Sequence, residues 1–229
     1  MLRAIIFDLD GTITQLELPL ELMRSDAKQY YISKGLPANL LESADGISSS
    51  TAKAKDYFLS NGVSLQDWDI LQEELDKLMS QHETSSAQSV NLMDRALETV
   101  SEVRSLGIKT AVLTNNSRDA MDIILRQVPL EQYFEIIQTR HESPSPKPYP
   151  DGLIHLAQLL SVDVSEAVYV GDAVIDGVAA ARAGMEFWGV TTGETNCQKL
   201  LSVGASVVVS SIYDIKDLVL ERIKNIRYA

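Results

Sequence analysis

Ala4-Ile5-Ile6-Phe7 is an unbroken apolar run that stops at Asp8-Leu9-Asp10-Gly11. A strand buried on both faces reads this way, because helices cover each side of a parallel sheet and leave no place for polar alternation. The pattern recurs twice: Lys109-Thr110-Ala111-Val112-Leu113 runs into Thr114-Asn115-Asn116, and Ala167-Val168-Tyr169-Val170 into Gly171-Asp172. Shorter strands are predicted at Phe134 to Gln138, Glu186 to Val190 and Ser206 to Val209. Helical periodicity fills the intervals, over Leu92 to Leu106, Arg118 to Gln127, Gly152 to Leu160, Asp176 to Ala183, Asn196 to Val203 and Tyr213 to Ile226. Strand and helix in alternation predict an α/β fold, a doubly wound parallel sheet. Ligands of such sheets bind beyond the carboxyl ends of strands, where all three polar clusters fall.

One stretch breaks the alternation. Leu18 to about Thr84 carries helical periodicity and capping residues but no strand, and Gly35-Leu36-Pro37 and Asn61-Gly62 divide it into three or four helices. Ser85-Ser86-Ala87-Gln88-Ser89 reads as a polar hinge back to the sheet. The expected organisation is a core of residues 1–14 and 90–229 with a helical insertion over 15–89. Trp68 sits among apolar residues at helical spacing, which points to packing inside the insertion.

Composition narrows the function classes. The 229 residues are 45% apolar and 23% charged, an ordinary globular balance that argues against disorder. A formal charge of -12, with no Lys/Arg patch, argues against nucleic acid. The lone Cys197 cannot form an internal disulfide and has no metal-ligand spacing around it. Asp8 and Asp10 cut the opening apolar run short of a signal peptide, and no run approaches membrane-spanning length, so no membrane partner and a cytoplasmic location are expected. His141 and His155 lack partners at ligand spacing, and Trp188 either lines a site or packs.

Chemistry concentrates at the strand ends. Asp8 and Asp10, two residues apart, can both turn into one site: an ionised carboxylate can attack phosphorus while a protonated neighbour assists the leaving group. An Asp-Gly turn is the plainer explanation. Asp172 and Asp176 add two carboxylates, although Asp176 also reads as a helix N-cap. If Asp8 and Asp172 are neighbours, they repel by several kcal/mol at about 4 Å and an effective dielectric of ~20, which a hard cation such as Mg2+ relieves. Thr114-Asn115-Asn116 offers a hydroxyl and backbone amides to an anion, or simply caps a helix. Lys147 lies among Pro144, Pro146, Pro148 and Pro150, which restrict the backbone that would hold its ammonium. Their even spacing contains no P-x-x-P ligand pattern.

These clusters, in this order, resemble the haloacid dehalogenase superfamily along essentially the whole chain, with Lys147-Pro148-Tyr149-Pro150 and Ala179-Ala180-Ala181-Arg182-Ala183-Gly184-Met185 similar to its phosphoglycolate phosphatase and beta-phosphoglucomutase branch. The resemblance implies a Rossmann-like core with an α-helical cap. It implies a magnesium-dependent phosphatase acting on a small phosphorylated molecule through an aspartyl phosphate. Asp8 then matches the nucleophile and a metal ligand, and Asp10 the general acid/base, whose main-chain carbonyl also ligates the metal. Thr114 and Lys147 match phosphate-binding catalytic positions, Gly11 and Asn115 further phosphate contacts, and Asp172 and Asp176 the remaining metal ligands. The insertion corresponds to a cap that excludes water, and Asp45-Gly46-Ile47-Ser48-Ser49-Ser50 to a substrate-reading loop or a plain inter-helix turn.

Two departures bear on activity. Gln15 stands where many relatives have Asp, which puts hydrogen bonding at the cap hinge in question. No histidine precedes His82, whereas beta-phosphoglucomutases use a cap histidine, so mutase chemistry is disfavoured. Asp10 argues against dehalogenase and phosphonatase branches, which replace that residue. The alternatives are a mutase or phosphotransferase of the same superfamily, and a non-catalytic phosphate-binding or signalling module. A monomer or a homodimer is expected.

Overall fold

Burial on two faces makes β1 (Ala4–Phe7) an apolar run: Ile5 and Phe7 join one core cluster, Ala4 and Ile6 the other, and all four have no exposed surface. Burying Ile5, Ile6 and Phe7 contributes about 1.5–3 kcal/mol each. The structure is a computed structural model that describes residues 1–193 and 195–227. After β1 come β2 (Thr14–Gln15), α1 (Leu20–Ser33), α2 (Ile47–Ser60), α3 (Leu65–Ala87), β3 (Asn91–Leu92), α4 (Ala96–Ser105), β4 (Lys109–Leu113) and α5 (Arg118–Gln127). Then follow β5 (Ile136–Gln138), α6 (Asp151–Leu159), β6 (Ala167–Gly171), α7 (Val174–Ala183), β7 (Glu186–Val190), α8 (Cys197–Ser202), β8 (Ala205–Val209) and α9 (Ile215–Arg227).

The chain divides into two compact units, one of Met1–Leu16 with Ala87–Ala229 and one of Glu17–Ser86. In the first, six strands among the described residues form a parallel sheet in the order β5-β4-β1-β6-β7-β8. Helices α4, α5 and α9 bury residues such as Val100, Ile124 and Val219 in one cluster, and α6 and α7 bury Leu156 and Ala180 in the other. The doubly wound parallel sheet expected from the alternation is therefore the fold. Because Phe7 is in register with Val112 on one side and Val170 on the other, the carboxyl ends of β1, β4 and β6 lie side by side.

Three expectations need correction. The helix predicted from Leu92 starts at Ala96, after Arg95 in a left-handed conformation (φ 55°). Asn91–Leu92 instead pairs antiparallel with Thr14–Gln15, a ladder too short to show alternation. Of the expected hinge Ser85-Ser86-Ala87-Gln88-Ser89, only Gln88-Ser89 form a turn, while Ser85 to Ala87 continue α3, held by Thr84 Oγ1 donating to the Ser80 carbonyl and by burial of Ala87. Ile47 to Ser50 form the first turn of α2 and not a loop, with Gly46 as its N-cap.

The second unit is helical. Met23, Ala27 and Tyr31 on α1 recur every four residues and pack with Ala54 and Phe58 on α2 and with Trp68, Leu75 and Met79 on α3. Trp68 stacks on Tyr31 with centroids 6.1 Å apart, so its role is packing. Gly35 and Gly62 end α1 and α2 at φ 104° and 90°, a backbone region where a Cβ is unfavourable. Among the described residues, no helix is long and apolar enough to cross a membrane.

Candidate active site

Leaving β1, the backbone amide of Asp8 still donates to the Val170 carbonyl at 2.8 Å, so the Asp8 side chain is carried by the carboxyl end of a central strand. Beside it, Lys147 Nζ donates to Asp8 Oδ1 at 2.6 Å and to Asp176 Oδ1 at 2.7 Å. Asp8, Asp172 and Asp176 each present a carboxylate oxygen within 4.8 Å of the others, and all three are buried. Like charges at that separation repel by roughly 3.5 kcal/mol per pair at an effective dielectric of ~20.

Burial, with Asp176 and Asp172 adding to it and Lys147 opposing, pushes the Asp8 carboxyl well above its ordinary range. Burial alone would lower the Lys147 ammonium, but Asp176 and Asp8 outweigh it and hold the group above its ordinary range. Three buried carboxylates gather around one ammonium, and such an all-oxygen, acidic donor set fits a hard divalent cation.

Local sequence positions each group. Gly11 (φ 82°) turns the chain after Asp10, and a Cβ there would lie 2.6 Å from Asp172 Cγ. Asp10 is half-buried: its Oδ1 accepts from Thr14 Oγ1 at 2.9 Å and its Oδ2 from Asn116 Nδ2 at 2.6 Å. The Asn116 backbone N–H also donates to Thr114 Oγ1 at 3.1 Å, so one residue links Asp10 to the end of β4. Asn115 spends its side chain on the main chain of Lys147, donating to its carbonyl and accepting from its amide, both at 2.9 Å. Further along, Glu142 accepts from the amide of Thr139 at 2.8 Å and from the Arg118 guanidinium at 2.7 Å, which clips the Lys147 loop to α5.

Asp176 is the third residue of α7 and not its N-cap, because Val174 and Ile175 are already helical. Its Oδ2 accepts from the Ala173 amide at 2.9 Å, which closes the helix start. Similarly, α5 spans Arg118–Gln127 as the periodicity predicts, and Ser117 caps it in place of Thr114-Asn115-Asn116.

The structure therefore brings Asp8, Lys147, Asp172 and Asp176 together, sets Gly11 against Asp172, and joins Asp10 to Thr114 through Asn116. Other singled-out residues serve structure. Gln15 pairs with Asn91 in the β2–β3 ladder, and Trp188 Nε1 donates to Glu186. His141 Nδ1 accepts from the Arg118 amide, His155 bonds Gln138, and Cys197 is exposed at the start of α8.

Three residues escaped the sequence reading. Gly193 approaches so closely that a Cβ on it would lie 1.7 Å from Asp172 Oδ2. Thr192 Oγ1 donates to the Gly11 carbonyl at 2.5 Å. Both follow the end of β7, so the strand-end grammar that marked the other clusters could have flagged them. Tyr169 lies within β6, its hydroxyl 3.0 Å from Lys147 Nζ and 2.9 Å from Asp176 Oδ1. Burial, and then Asp176, push this phenol well above its ordinary range, so it is a neutral O–H.

A family model described as "Haloacid dehalogenase-like hydrolase" matches residues 5–190. "Phosphoglycolate phosphatase" of Neisseria meningitidis is 30% identical over 194 residues, 83% of this chain and 81% of that protein. "Pyrophosphatase PpaX" of Bacillus pumilus is 26% identical over 190 residues, 82% of this chain and 83% of that protein. Among solved structures, a hydrolase from Pseudomonas syringae superposes with a TM-score of 0.64 at 20% identity, over 96% of this chain and 98% of that one.

Proposed function

Because this chain belongs to the haloacid dehalogenase-like hydrolase family, we propose that it is a magnesium-dependent phosphatase that cleaves a small phosphomonoester, phosphoglycolate-like or a sugar phosphate, through a phosphorylated Asp8. The observation that carries this reading is the buried meeting of Asp8, Asp172, Asp176 and Lys147 at the ends of parallel strands. An oxygen of Asp8 attacks phosphorus, the bond to the leaving alkoxide oxygen breaks, and Asp10 gives that oxygen a proton. Asp10 then takes a proton from water, whose oxygen attacks the aspartyl phosphate. Phosphate departs and the Asp8 carboxylate is restored. Thr114 binds the transferring group, Lys147 neutralises that group and Asp8 through its charge, and Gly11 with the Asn115 backbone completes the surroundings. Catalysis is mostly positioning and charge neutralisation.

Asp8, Asp172, Asp176 and the Asp10 carbonyl would hold the magnesium. Bound there, it supplies positive charge against the anionic substrate and the carboxylates. We assign the choice of leaving group to the helical unit and the working compartment to the cytoplasm. A signalling receiver is disfavoured by membership of a hydrolase family.

The test is phosphate release from a panel of phosphoglycolate, sugar phosphates, nucleotides and pyrophosphate. We expect release with magnesium and none after chelation. Failure on every compound would overturn the reading, and isomerised sugar phosphate in place of free phosphate would redirect it to a mutase.

Metal binding also has a signature in stability. In the metal-free protein the raised affinity of Asp8 for a proton stabilises the fold fully below 3.8, and that contribution is lost as pH rises through the folded-state value. The cation binds the ionised carboxylates, so the increase in melting temperature on adding magnesium is expected to be largest near neutral pH and to shrink toward 3.8. An increase independent of pH, or none, would speak against the carboxylate site. Gly193→Ala is a local probe of the same site, since its Cβ must displace the Asp172 carboxylate. The variant should fold normally yet need at least about tenfold more magnesium for half-maximal rate. Unchanged magnesium dependence would show that Asp172 is not a ligand.

A further inference from the structure

Tyr169 stands in the middle of β6, facing the core layer formed with α6 and α7. There its ring packs near Phe187, with centroids 6.2 Å apart, and a phenylalanine would serve burial equally well. Only the hydroxyl needs another explanation. An ammonium carries three N–H donors. Those of Lys147 find three acceptors: Asp8 Oδ1 at 2.6 Å, Asp176 Oδ1 at 2.7 Å and Tyr169 Oη at 3.0 Å. Two acceptors leave a tetrahedral group free to pivot about the line joining them, and a third removes that freedom. The same hydroxyl donates its own proton to Asp176 Oδ1 at 2.9 Å, so it fixes the carboxylate as well as the ammonium.

A neutral group suits this post. A further carboxylate would add like-charge repulsion to the three already clustered, and a flexible side chain would cost entropy that a strand-borne aromatic ring has already lost in packing. Within the reading of Asp8 as phosphoryl acceptor, on which this step rests, we infer that Tyr169 is a positioning residue for phosphoryl transfer. Its hydroxyl holds the Lys147 ammonium and the Asp176 carboxylate in one arrangement before the phosphoryl group arrives. It touches neither the substrate nor the reacting atoms.

The test is Tyr169→Phe, which keeps the ring and removes the oxygen. With an aryl phosphate and saturating magnesium, kcat is expected to fall about 10- to 100-fold. KM should stay within about twofold, because the loss concerns the transition state and not ground-state binding. Turnover is normalised to the folded fraction from a circular-dichroism melt of the same sample, so loss of fold is not counted as loss of rate. In a Lys147→Met background, where the ammonium is gone and only the bond to Asp176 remains, the same change should lower the residual kcat by a smaller factor than in the wild type. Wild-type kcat in the single variant would overturn the inference, as would an equal fold-loss in both backgrounds, which would mean that Tyr169 acts independently of Lys147. If the wild-type protein hydrolyses no phosphate ester, the functional reading itself fails. If wild type is active, Asp8→Asn is inactive and Tyr169→Phe is unimpaired, only the role of Tyr169 falls.

Discussion

Asp8→Asn should lower phosphate release by at least about 10⁴-fold while leaving the protein folded, the scale of loss when a covalent nucleophile is removed. The amide has nearly the shape of the carboxylate, and its oxygen can still accept from Lys147 Nζ, which lies 2.6 Å from Asp8 Oδ1. What disappears is the charge and the nucleophilic oxygen. Removing that charge relieves a buried cluster of like charges, so the metal-free variant should melt no lower than the wild type. The measurement pairs steady-state phosphate release with a thermal melt. Retained activity would exclude Asp8 as the phosphoryl acceptor. Lost activity with a collapsed melt would show instead that Asp8 is a structural residue.

Lys147→Met gives the second large effect, this time on stability as well as rate. Methionine fills most of the volume of the lysine stem, so the change isolates the charge. Lys147 is 3% exposed and bonded to two carboxylates, and stripping the cation from such a buried group typically costs about 3–5 kcal/mol. For a chain of this size that corresponds to roughly 10 °C or more in melting temperature.

The sign with pH follows from the raised ammonium. Its contribution is complete below the ordinary value of 10.5 and is lost only as pH rises through the folded-state value, so near neutrality the variant forfeits all of it. Acidification should then narrow the gap to wild type, because protonating the carboxylates removes the charges left without a partner. Turnover should fall about 10²- to 10³-fold, as for loss of a preorganised charge at the transferring group. A variant that melts like wild type at neutral pH would mean that the carboxylates are already protonated there and that Lys147 balances nothing.

Local pattern specifies structure where burial repeats with a short period. Ala4 to Phe7, Lys109 to Leu113 and Ala167 to Val170 announced themselves as strands because both faces of the sheet are covered, and the motifs at their ends could be picked out without coordinates. Local pattern specifies less wherever an element is shorter than one period. The two-residue β2–β3 ladder and the true start of α4 depend on a pairing between positions 14–15 and 91–92, which no local window contains. The polar stretch Ser85-Ser86 looked like a hinge because serine is common in loops, yet the burial of Ala87 keeps it helical.

Sequence alone determined the class of fold, the strand ends that carry the carboxylates, the lysine and the threonine, and the family resemblance that their order carries. Tertiary structure decided who meets whom. Lys147 reaches Asp8 across 139 positions of chain, Asn115 is turned to the lysine's own backbone, Tyr169 supplies the third acceptor, and Gly193 leaves room for Asp172. The physical reason is that periodic burial is written into neighbouring residues, whereas the partner of a buried charge is set by strand order and register, which bring together segments that share no local pattern.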